Sequence, residues 1–272
     1  MSFSVLLSLY YKENHHSLQQ SLDSIFMQSK LPDEVILVED GPLTEILYAV
    51  VAKYTHLYPI IKIISLPQNV GLGQALNEGL KHCSYDLVAR MDTDDIAKPN
   101  RFEKQLSVFE QNPDIDICSA WIEEFADNTD NIISVKKVPE KHWDILRYAQ
   151  SRCPINHPAV MFRKSSLLSV GGYQHFPLLE DYYLWIRLLI NGAKFYNIQE
   201  SLLYFRTSQD MFARRGGWKY LKNEIIFWKL AYKYNFVSLF RFLKNILVRI
   251  PARLCPTSIR KILYTNFLRQ QL

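Results

Sequence analysis

Cysteine is scarce in this sequence of 272 residues, and its four cysteines lie tens of residues apart. There is no CxxC pair, and no histidine stands at metal-ligand spacing from a cysteine. These absences argue against a zinc site and against a disulfide framework. We therefore expect buried thiols in a reducing compartment at Cys83, Cys118, Cys153 and Cys255.

Long apolar runs and a basic N-terminal segment are also missing. No stretch approaches the roughly 18 consecutive apolar residues that a membrane-spanning helix needs. Residues 1–12 contain a short apolar run without the basic start of a signal peptide, so they predict a first strand instead. We expect the protein to remain on the cytoplasmic side.

The composition supports a sizeable core and hides a charge asymmetry. Apolar residues make up 48% of the chain and aromatic residues 13%, which excludes a disordered or collagenous protein. The net charge is +5, but residues 211–272 contain 13 Lys and Arg and only one acid, Glu224. An acidic body with a basic C-terminal section indicates a polyanion or an anionic membrane surface as partner of that section.

The first hundred residues alternate between short continuous apolar runs and segments with helical spacing of apolar residues. Strands this apolar, separated by helices, indicate a parallel sheet that is covered on both faces. In such sheets ligands bind at the carboxyl ends of the strands. The predicted strands are 3–10, 35–38, 60–66 and 87–91, and the predicted helices are one beginning near Leu18, 44–54 and 72–82.

The rest of the chain shows a second group of short elements and then a long helical section. After about residue 210 the pattern is helical, aromatic and basic, with interruptions at Pro251 and Pro256. Before that section we predict helices over 101–111, 165–170 and from 180 to the Asn191-Gly192 stop, strands over 115–121 and 159–162, and a turn-rich stretch over 126–137.

Three carboxylates, Asp92, Asp94 and Asp95, follow the strand predicted at 87–91. If the strand period persists, positions 92 and 94 project the same way and offer two hard oxygen ligands. Such ligands suit Mg²⁺ or Mn²⁺ shared with a diphosphate. A solvated acidic turn is the plainer interpretation, but three repelling carboxylates are costly unless a cation neutralises them. We therefore expect a divalent metal site here.

A second acidic pair, Glu39 and Asp40, ends the strand 35–38 and precedes Gly41. An Asp-Gly at a strand end is most often only a turn. Its predicted place on the same sheet edge as the three aspartates favours a functional role.

Glu180 and Asp181 begin a predicted helix. A negative charge at a helix N-terminus is favourable for structural reasons alone. A positioned carboxylate is also suited to accept a proton from an attacking hydroxyl. The residues alone leave these two interpretations open.

A glycine-rich turn and a histidine are less informative. Gly71 and Gly73 resemble the start of a dinucleotide-binding turn, but Leu76 stands at the third glycine position, so we reject a Rossmann-type cofactor site. His157, which precedes Pro158, is interpreted as structural rather than catalytic.

Together these residues resemble the family 2 glycosyltransferases of GT-A fold, especially the bacterial enzymes that build O-antigen and exopolysaccharide repeat units. The resemblance runs through most of residues 3–206 in the expected order. It implies a nucleotide-diphospho-sugar transferase (GT-A) fold with a mostly parallel central sheet, plus a helical, basic C-terminal extension. The matching segments are Ser8-Leu-Tyr10-Tyr-Lys-Glu13, Glu39-Asp40-Gly41, Asn69-x-Gly71 with Ala75, Asp92-Thr-Asp94-Asp95, Glu180-Asp181 and Leu203-Tyr-Phe-Arg206.

The resemblance also implies a role for each matching residue. Asp92 would contact the ribose side of the donor, and Asp94, with Asp92, would hold Mn²⁺ or Mg²⁺. Asp181 is favoured as the catalytic base, with Glu180 beside it, and Asp40 is favoured over Glu39 for receiving the uracil ring. The expected nucleotide-sugar-binding residues are Ser8, Tyr10, Glu13, Glu39, Asp40, Asn69, Gly71, Arg90, Asp92 and Arg206.

One position departs from the family pattern. Ser208 stands where many members carry a histidine near the diphosphate. We therefore expect Arg206, or the Arg214-Arg215 pair, to stabilise the leaving group instead.

The function implied by the resemblance is transfer of a sugar, with inversion, from a UDP-sugar to a saccharide on a polyprenyl diphosphate, giving a β-linkage. Residues 1–210 would form the catalytic domain, with a nucleotide-binding half over about 1–100 and an acceptor half over 101–210. Residues 211–272 would associate with the cytoplasmic face of the bacterial inner membrane. A sugar-nucleotide nucleotidyltransferase is a rival, but Tyr-Tyr-Lys-Glu-Asn replaces its glycine-rich basic loop after the first strand.

The C-terminal section allows two interpretations. Its aromatic and basic residues suit an amphipathic helix in the headgroup region of an anionic bilayer. Alternatively, the aromatic residues pack on the catalytic domain while the cations face water. A second rival function is a non-enzymatic protein that binds nucleic acid through this basic section, but no nucleic-acid motif occurs, so we favour the membrane and expect no nucleic-acid partner. The interleaved residues are Trp218, Tyr220, Phe227, Trp228, Tyr232, Phe236, Phe240 and Phe242 with Lys219, Lys222, Lys229, Lys233, Arg241, Lys244 and Arg249.

Overall fold

The computed structural model describes residues 1–207 and 216–256, which contain nine strands in one sheet. The strand order is β3-β2-β1-β4-β8-β6-β9-β5, and β7 pairs with β6 outside this path. Strands β1 to β4 are mutually parallel, and the second half of the sheet is mixed. The strands are β1 (Phe3–Leu9), β2 (Glu34–Glu39), β3 (Ile61–Ser65), β4 (Leu87–Arg90), β5 (Ile96–Ala97), β6 (Ile117–Phe125), β7 (Ile132–Lys136), β8 (Met161–Arg163) and β9 (Phe195–Arg206).

Helices cover both faces of the sheet, as the apolar strands predicted. One core cluster contains α1, α2 and α4 with Val5 and Leu7 of β1, and the other contains α3, α7 and α8 with Leu6. Alternate residues of a strand face opposite sides, so β1 supplies both cores. The helices are α1 (His15–Phe26), α2 (Glu45–Leu57), α3 (Leu72–His82), α4 (Arg101–Gln111), α5 (His142–Ala149), α6 (Lys164–Ser169), α7 (Glu180–Ile190), α8 (Gly217–Lys233) and α9 (Leu239–Leu254).

Local sequence sets where the helices begin and how closely they approach the sheet. Asn14 caps α1 by accepting hydrogen bonds from the backbone N–H groups of His16 (2.8 Å) and Ser17 (3.2 Å). Within α3, a Cβ on Gly79 would lie 2.4 Å from a Leu6 methyl carbon, so the small residue allows α3 to lie tightly against β1. This close approach fixes the N-terminus of α3 beside the strand ends.

The C-terminal helices α8 and α9 pack on the body through aromatic residues. The Tyr182 ring of α7 lies 4.5 Å from that of Phe227 and 5.9 Å from that of Trp228. Glu224 of α8 is buried and ion-paired with Arg249 (3.3 Å) and Arg253 (2.7 Å) of α9. Half of the eight interleaved aromatic residues are buried, which are Tyr220, Phe227, Trp228 and Phe236.

The predicted fold class is confirmed, and several local predictions are corrected. Strand β7 lies inside the stretch predicted as turns, where it gains hydrogen bonds from β6. Helix α9 continues through Pro251 to Leu254, because the last turn is held by the ion pair of Arg253 with Glu224. Helix α5 was not predicted, and β9 extends over residues that local periodicity left unassigned.

Two of the four cysteines depart from the expected burial. Cys83 and Cys118 are buried as predicted, whereas Cys153 and Cys255 are only half-buried. Cys153 lies in a loop and Cys255 directly follows α9, so neither has a strand or helix packed over it on every side. In the described ranges, no helix is both long and apolar enough to cross a membrane.

Candidate active site

The carboxyl ends of β1, β2 and β4 meet at one edge of the sheet. Because these strands are adjacent and parallel, their last residues, Leu9, Glu39 and Arg90, bring three following loops together. The predicted acidic segments therefore do share one edge, which is where open α/β sheets bind ligands.

The three aspartates after β4 form a cluster of potential metal ligands, the only one found in the part of the chain that the structure describes. One carboxylate oxygen from each of Asp92, Asp94 and Asp95 lies within 4.8 Å of the others. Asp92 and Asp94 are half-buried, whereas Asp95 is fully buried. Asp95 Oδ2 has no hydrogen-bond partner among the described residues. A buried carboxylate oxygen without a donor is costly, and a cation would satisfy it.

The surroundings of the cluster disfavour its full ionisation in the absence of a cation. Burial, and then the charges of Asp92 and Glu13, raise the pKa of Asp94 to about 7. Burial, with the charges of Asp94 and Asp92, raises the pKa of Asp95 well above its usual value. The donor set therefore fits a hard divalent cation, which would restore the charged forms and accept oxygen ligands.

Two buried arginines lie behind the cluster. Both Nη atoms of Arg90 donate to the carboxylate of Asp92, with Nη1 2.7 Å from Oδ2. Arg101 is fully buried in α4 and donates to the carbonyl oxygen of Arg90 at 2.7 Å. Burial and the charge of Arg90 lower the pKa of Arg101 to about 9. The buried Arg90 therefore orients the more exposed carboxylate of Asp92 from inside the protein.

Glu13 joins the loop after β1 to the aspartate segment. Its Oε2 accepts a hydrogen bond from Thr93 Oγ1 at 2.9 Å, and its Oε1 accepts from the backbone N–H of Asn14 at 2.9 Å. Tyr10, at the start of this loop, is 38% exposed, and Ser8 of β1 is half-buried. Three of the predicted nucleotide-sugar residues therefore line the same edge, and Thr93 is a connecting residue that the sequence analysis did not identify.

Arg206 reaches the aspartate cluster from the end of β9. Its backbone N–H donates to Asp95 Oδ1 (2.8 Å), and its Nε donates to the carbonyl oxygen of Asp94 (2.9 Å). The guanidinium group also lies over the Phe125 ring at 4.5 Å. Arg206 is thus brought to the site as predicted, whereas Ser208, Arg214 and Arg215 lie outside the described residues.

Asp40 holds the loop before α3. Its carboxylate accepts hydrogen bonds from the backbone N–H groups of Val70 (2.7 Å) and Gly71 (3.1 Å) and from Asn69 Nδ2 (3.0 Å). Glu39 is also buried and accepts from Ser65 Oγ at 2.6 Å. The acidic pair therefore holds the loop before α3 and the end of β3 in place, and contact of Asp40 with the uracil ring stays a prediction.

Glu180 and Asp181 begin α7, directly after a strained turn. Leu178, two residues before Glu180, has φ +71°, a conformation that costs a non-glycine residue free energy. Asp181 Oδ1 accepts from the backbone N–H of Tyr182 (2.7 Å), and Oδ2 lies 3.9 Å from Cys153 Sγ. Burial and the charge of Asp181 raise the pKa of Glu180.

The half-buried His157 and the buried Tyr173 form a hydrogen-bonded pair close enough to the site for Tyr173 to sense its charges. His157 Nε2 is 2.8 Å from the Tyr173 hydroxyl oxygen, and burial lowers the pKa of His157 well below its usual value. Burial raises the pKa of Tyr173, and this hydroxyl also senses the charges of Arg90, Asp181 and Asp92. The structural interpretation of His157 stays a prediction. Tyr173 was missed because nothing in its local sequence distinguishes it from a core tyrosine.

Comparison with known proteins shows similarity to glycosyltransferases over most of the chain. The profile of Glycosyl transferase family 2 matches residues 4–167. The UDP-Gal:alpha-D-GlcNAc-diphosphoundecaprenol beta-1,3-galactosyltransferase of Escherichia coli is 43% identical over 98% of this chain and 97% of its own. The amylovoran biosynthesis glycosyltransferase AmsE of Erwinia amylovora is 40% identical over 96% of this chain and 97% of its own.

A solved structure supports the fold alone. The mannosyltransferase PcManGT from Pyrobaculum calidifontis, determined in complex with GDP-Man and Mn²⁺, superposes with a TM-score of 0.65. The match covers 92% of this chain and 69% of that chain, at 14% identity.

Proposed function

The chain belongs to glycosyltransferase family 2, and we propose that it transfers a sugar from a UDP-sugar to a saccharide carried on a polyprenyl diphosphate. The observation that supports this proposal is the aspartate cluster at the carboxyl ends of parallel strands, with Asp95 Oδ2 buried without a donor among the described residues. The acceptor and donor classes follow the name of the Escherichia coli galactosyltransferase, to which nearly the whole chain is similar. The biological role would be assembly of O-antigen or exopolysaccharide.

Asp94 and Asp92 would hold the divalent cation, with Asp95 behind them. When bound, Mn²⁺ or Mg²⁺ would act as a Lewis acid on the donor diphosphate. Arg90 keeps the Asp92 carboxylate in place through hydrogen bonds from both of its Nη atoms. Arg206 presents a guanidinium group beside the cluster, where it can stabilise negative charge on the leaving nucleotide.

Asp181 would act as the general base. One of its oxygens is held by the Tyr182 N–H, which fixes the carboxylate at the start of α7. Deprotonation of an acceptor hydroxyl at this point lets its oxygen attack the anomeric carbon opposite the departing nucleotide. The C–O bond to the acceptor forms as the bond to the diphosphate breaks, the proton remains on Asp181, and the anomeric configuration is inverted. An α-linked donor therefore gives a β-linked product.

The outer surface of α8 and α9 supports association with an anionic membrane. Four lysines at helical spacing are exposed on α8, and exposed apolar residues follow one side of α9. Cations near the headgroups and apolar groups in the interface are the two contributions that bind a peripheral helix. We place this surface on the cytoplasmic face of the inner membrane. The residues are Lys219, Lys222, Lys229 and Lys233 on α8 and Phe240, Leu243 and Leu247 on α9.

The transferase proposal is tested by nucleotide release from UDP-, GDP- and dTDP-sugars with a lipid-linked GlcNAc diphosphate acceptor, in Mn²⁺, Mg²⁺ or EDTA. We expect release from one UDP-sugar, loss of activity in EDTA, and loss of activity in Asp94→Asn. Asp114→Asn is the matched control, because this exposed carboxylate precedes β6 at the opposite edge of the sheet. Full activity of Asp94→Asn, or retained configuration in the product by NMR, would contradict the mechanism.

The membrane proposal is tested by sedimentation with vesicles. Vesicles containing phosphatidylglycerol should retain the protein at low salt, and replacing Lys222 and Lys229 by Gln should weaken retention. Phosphatidylcholine vesicles serve as the uncharged control. Equal binding to both kinds of vesicle, or stronger binding to an oligonucleotide, would refute an anionic bilayer as the partner.

A further inference from the structure

The loop between α5 and the 3₁₀ turn at residues 157–159 lies against the proposed base. Its Cys153 Sγ is 3.9 Å from Asp181 Oδ2. At the other end of the loop, the Ala149 carbonyl oxygen accepts a hydrogen bond from the Tyr182 hydroxyl at 2.7 Å. Two contacts therefore tie this loop, which we name the acceptor loop (residues 149–153), to the first turn of α7.

Helix α9 holds the acceptor loop from its other side. Asn245 Nδ2 donates to the Gln150 carbonyl oxygen at 2.8 Å, and Arg249 Nη2 donates to that of Ser151. Arg241 Nη1 lies 3.4 Å from Ser151 Oγ. The C-terminal helix is thus connected to Asp181 through this loop.

Positive charge is concentrated around Ser151 and is only partly neutralised. Arg249 is ion-paired with the buried Glu224. No ion pair to a carboxylate is found for Arg241 or for the exposed Arg152 within residues 1–207 and 216–256. Arg241 contacts Ser151 and Arg152 is the exposed residue that follows it, so this loop offers guanidinium groups to an anion with several oxygens, such as a diphosphate.

The distance from the base suits the acceptor. Ser151 precedes Cys153 by two residues, so their Cα atoms are at most about 7 Å apart. The same short loop therefore contacts Arg241 through Ser151 and Asp181 through Cys153. A saccharide placed here would present a hydroxyl to Asp181 and its anomeric oxygen, which carries the diphosphate, towards Arg241 and Arg152.

We propose that Arg241 and Arg152 bind the diphosphate of the lipid-linked acceptor. This inference rests on the proposed function and assigns the acceptor end of the same site. The apolar residues Phe240, Leu243 and Leu247 lie on the helix that carries Arg241, so the polyprenyl chain would leave the diphosphate along α9 towards the bilayer.

The test compares two soluble acceptors in the absence of vesicles. One is a short-chain alkyl GlcNAc diphosphate, and the other is the corresponding alkyl GlcNAc glycoside without phosphate. Arg241→Gln and Arg152→Gln should each raise KM for the diphosphate roughly tenfold, because each loses a charge-assisted hydrogen bond. Neither should change KM for the glycoside, KM for the UDP-sugar, or kcat by more than about twofold. Lys30→Gln, an exposed cation at the other side of the molecule, is the control for lost charge.

Several outcomes would overturn the assignment. A similar increase in KM for both acceptors would indicate a general distortion of the acceptor loop. Unchanged KM with weaker retention on phosphatidylglycerol vesicles would assign the arginines to lipid headgroups instead. Direct calorimetric binding of the alkyl GlcNAc diphosphate separates this proposal from the transferase proposal. If wild-type protein bound it, the arginine variants did not, and no sugar were transferred, only the transferase proposal would fail.

Discussion

Arg90 and Asp92 form a two-donor ion pair at the end of β4, with the arginine side chain 2% exposed and the aspartate side chain 26% exposed. The buried cation supports the more exposed anion from behind. Arg90 therefore compensates the charge of one of the three clustered carboxylates, and the carboxylates of Asp94 and Asp95 are left for a cationic ligand.

Removing that compensation should make the protein depend more strongly on a divalent cation. In Arg90→Met the carboxylates of Asp92, Asp94 and Asp95 repel one another without a neighbouring guanidinium. We expect a lower melting temperature without metal, and a larger increase on adding Mn²⁺ than in the wild type, because bound ligand stabilises the folded state. Differential scanning fluorimetry with EDTA and with Mn²⁺ measures both values. An equal or smaller metal-induced increase in the variant would contradict this role.

Replacing each of the two acids at the start of α7 by its amide tests which of them is the general base. Asp181→Asn should lower kcat by roughly 10²–10⁴-fold, which is the usual contribution of a general base. Glu180→Gln should lower it by less than about tenfold. Binding of UDP with Mn²⁺ by calorimetry should be preserved in both variants. The reverse order of the two effects on kcat would make Glu180 the base.

The sequence was most informative where a local pattern determines the outcome. The acidic residues after β2 and β4 were placed on one sheet edge because apolar runs separated by helices predict parallel strands. Family membership, expected from the ordered motifs, is confirmed by the profile match and by the relatives. The ends of α3 and α4 also agree with prediction, since glycine, proline and apolar spacing mark them locally.

Contacts between distant segments could not be predicted in this way. Asp40 is satisfied by backbone groups of residues 70 and 71, and the acceptor loop is held by α9, nearly a hundred residues later. Such pairs depend on the order of strands and on helix packing, which periodicity in one segment does not encode. The roles of the predicted site residues, and the boundary near residue 210, stay predictions.

Gly41 should be intolerant of a side chain for two separable reasons. Its φ is +86°, and an added Cβ would lie 2.6 Å from the Asn69 backbone nitrogen. Gly192 has φ +87° but nothing within 4 Å of an added Cβ, so Gly192→Ala is a matched control. We expect Gly192→Ala to cost about 1 kcal/mol from backbone strain, and Gly41→Ala to cost about 1–3 kcal/mol more from overpacking. If urea unfolding showed equal losses of unfolding free energy in the two variants, the loop that contains Asn69 would have moved to make room for the added Cβ.

Acid should remove one identifiable contribution to stability. Burial would raise the pKa of Glu34, but hydrogen bonds from Lys62, Ser4 and Ser84 outweigh it and lower the pKa to about 2. Because the folded pKa lies below the unfolded one, the contribution is complete above about pH 4.5 and is lost as the pH falls towards 2. The free energy of unfolding of Glu34→Gln should therefore be about 2 kcal/mol lower than that of the wild type at pH 7. This difference should shrink below pH 4 in urea titrations, and a constant difference would contradict the assignment.

Glu224 should contribute strongly to the stability with which α8 and α9 pack together. Its carboxylate is 6% exposed and accepts from both Arg249 and Arg253, so Glu224→Gln removes the anion that these two partly buried guanidinium groups share. Breaking a buried pair in this way typically costs about 3 kcal/mol. Glu110→Gln is the control, because its ion pair with the N-terminus is 3.5 Å long and its side chain is 53% exposed, for which less than about 1 kcal/mol is expected.

Because Arg249 also holds Ser151, the Glu224 variant should lose acceptor-dependent transfer at a lower temperature than it loses UDP binding. Equal melting temperatures for the two Gln variants would show that aromatic packing alone holds α8 and α9 on the body.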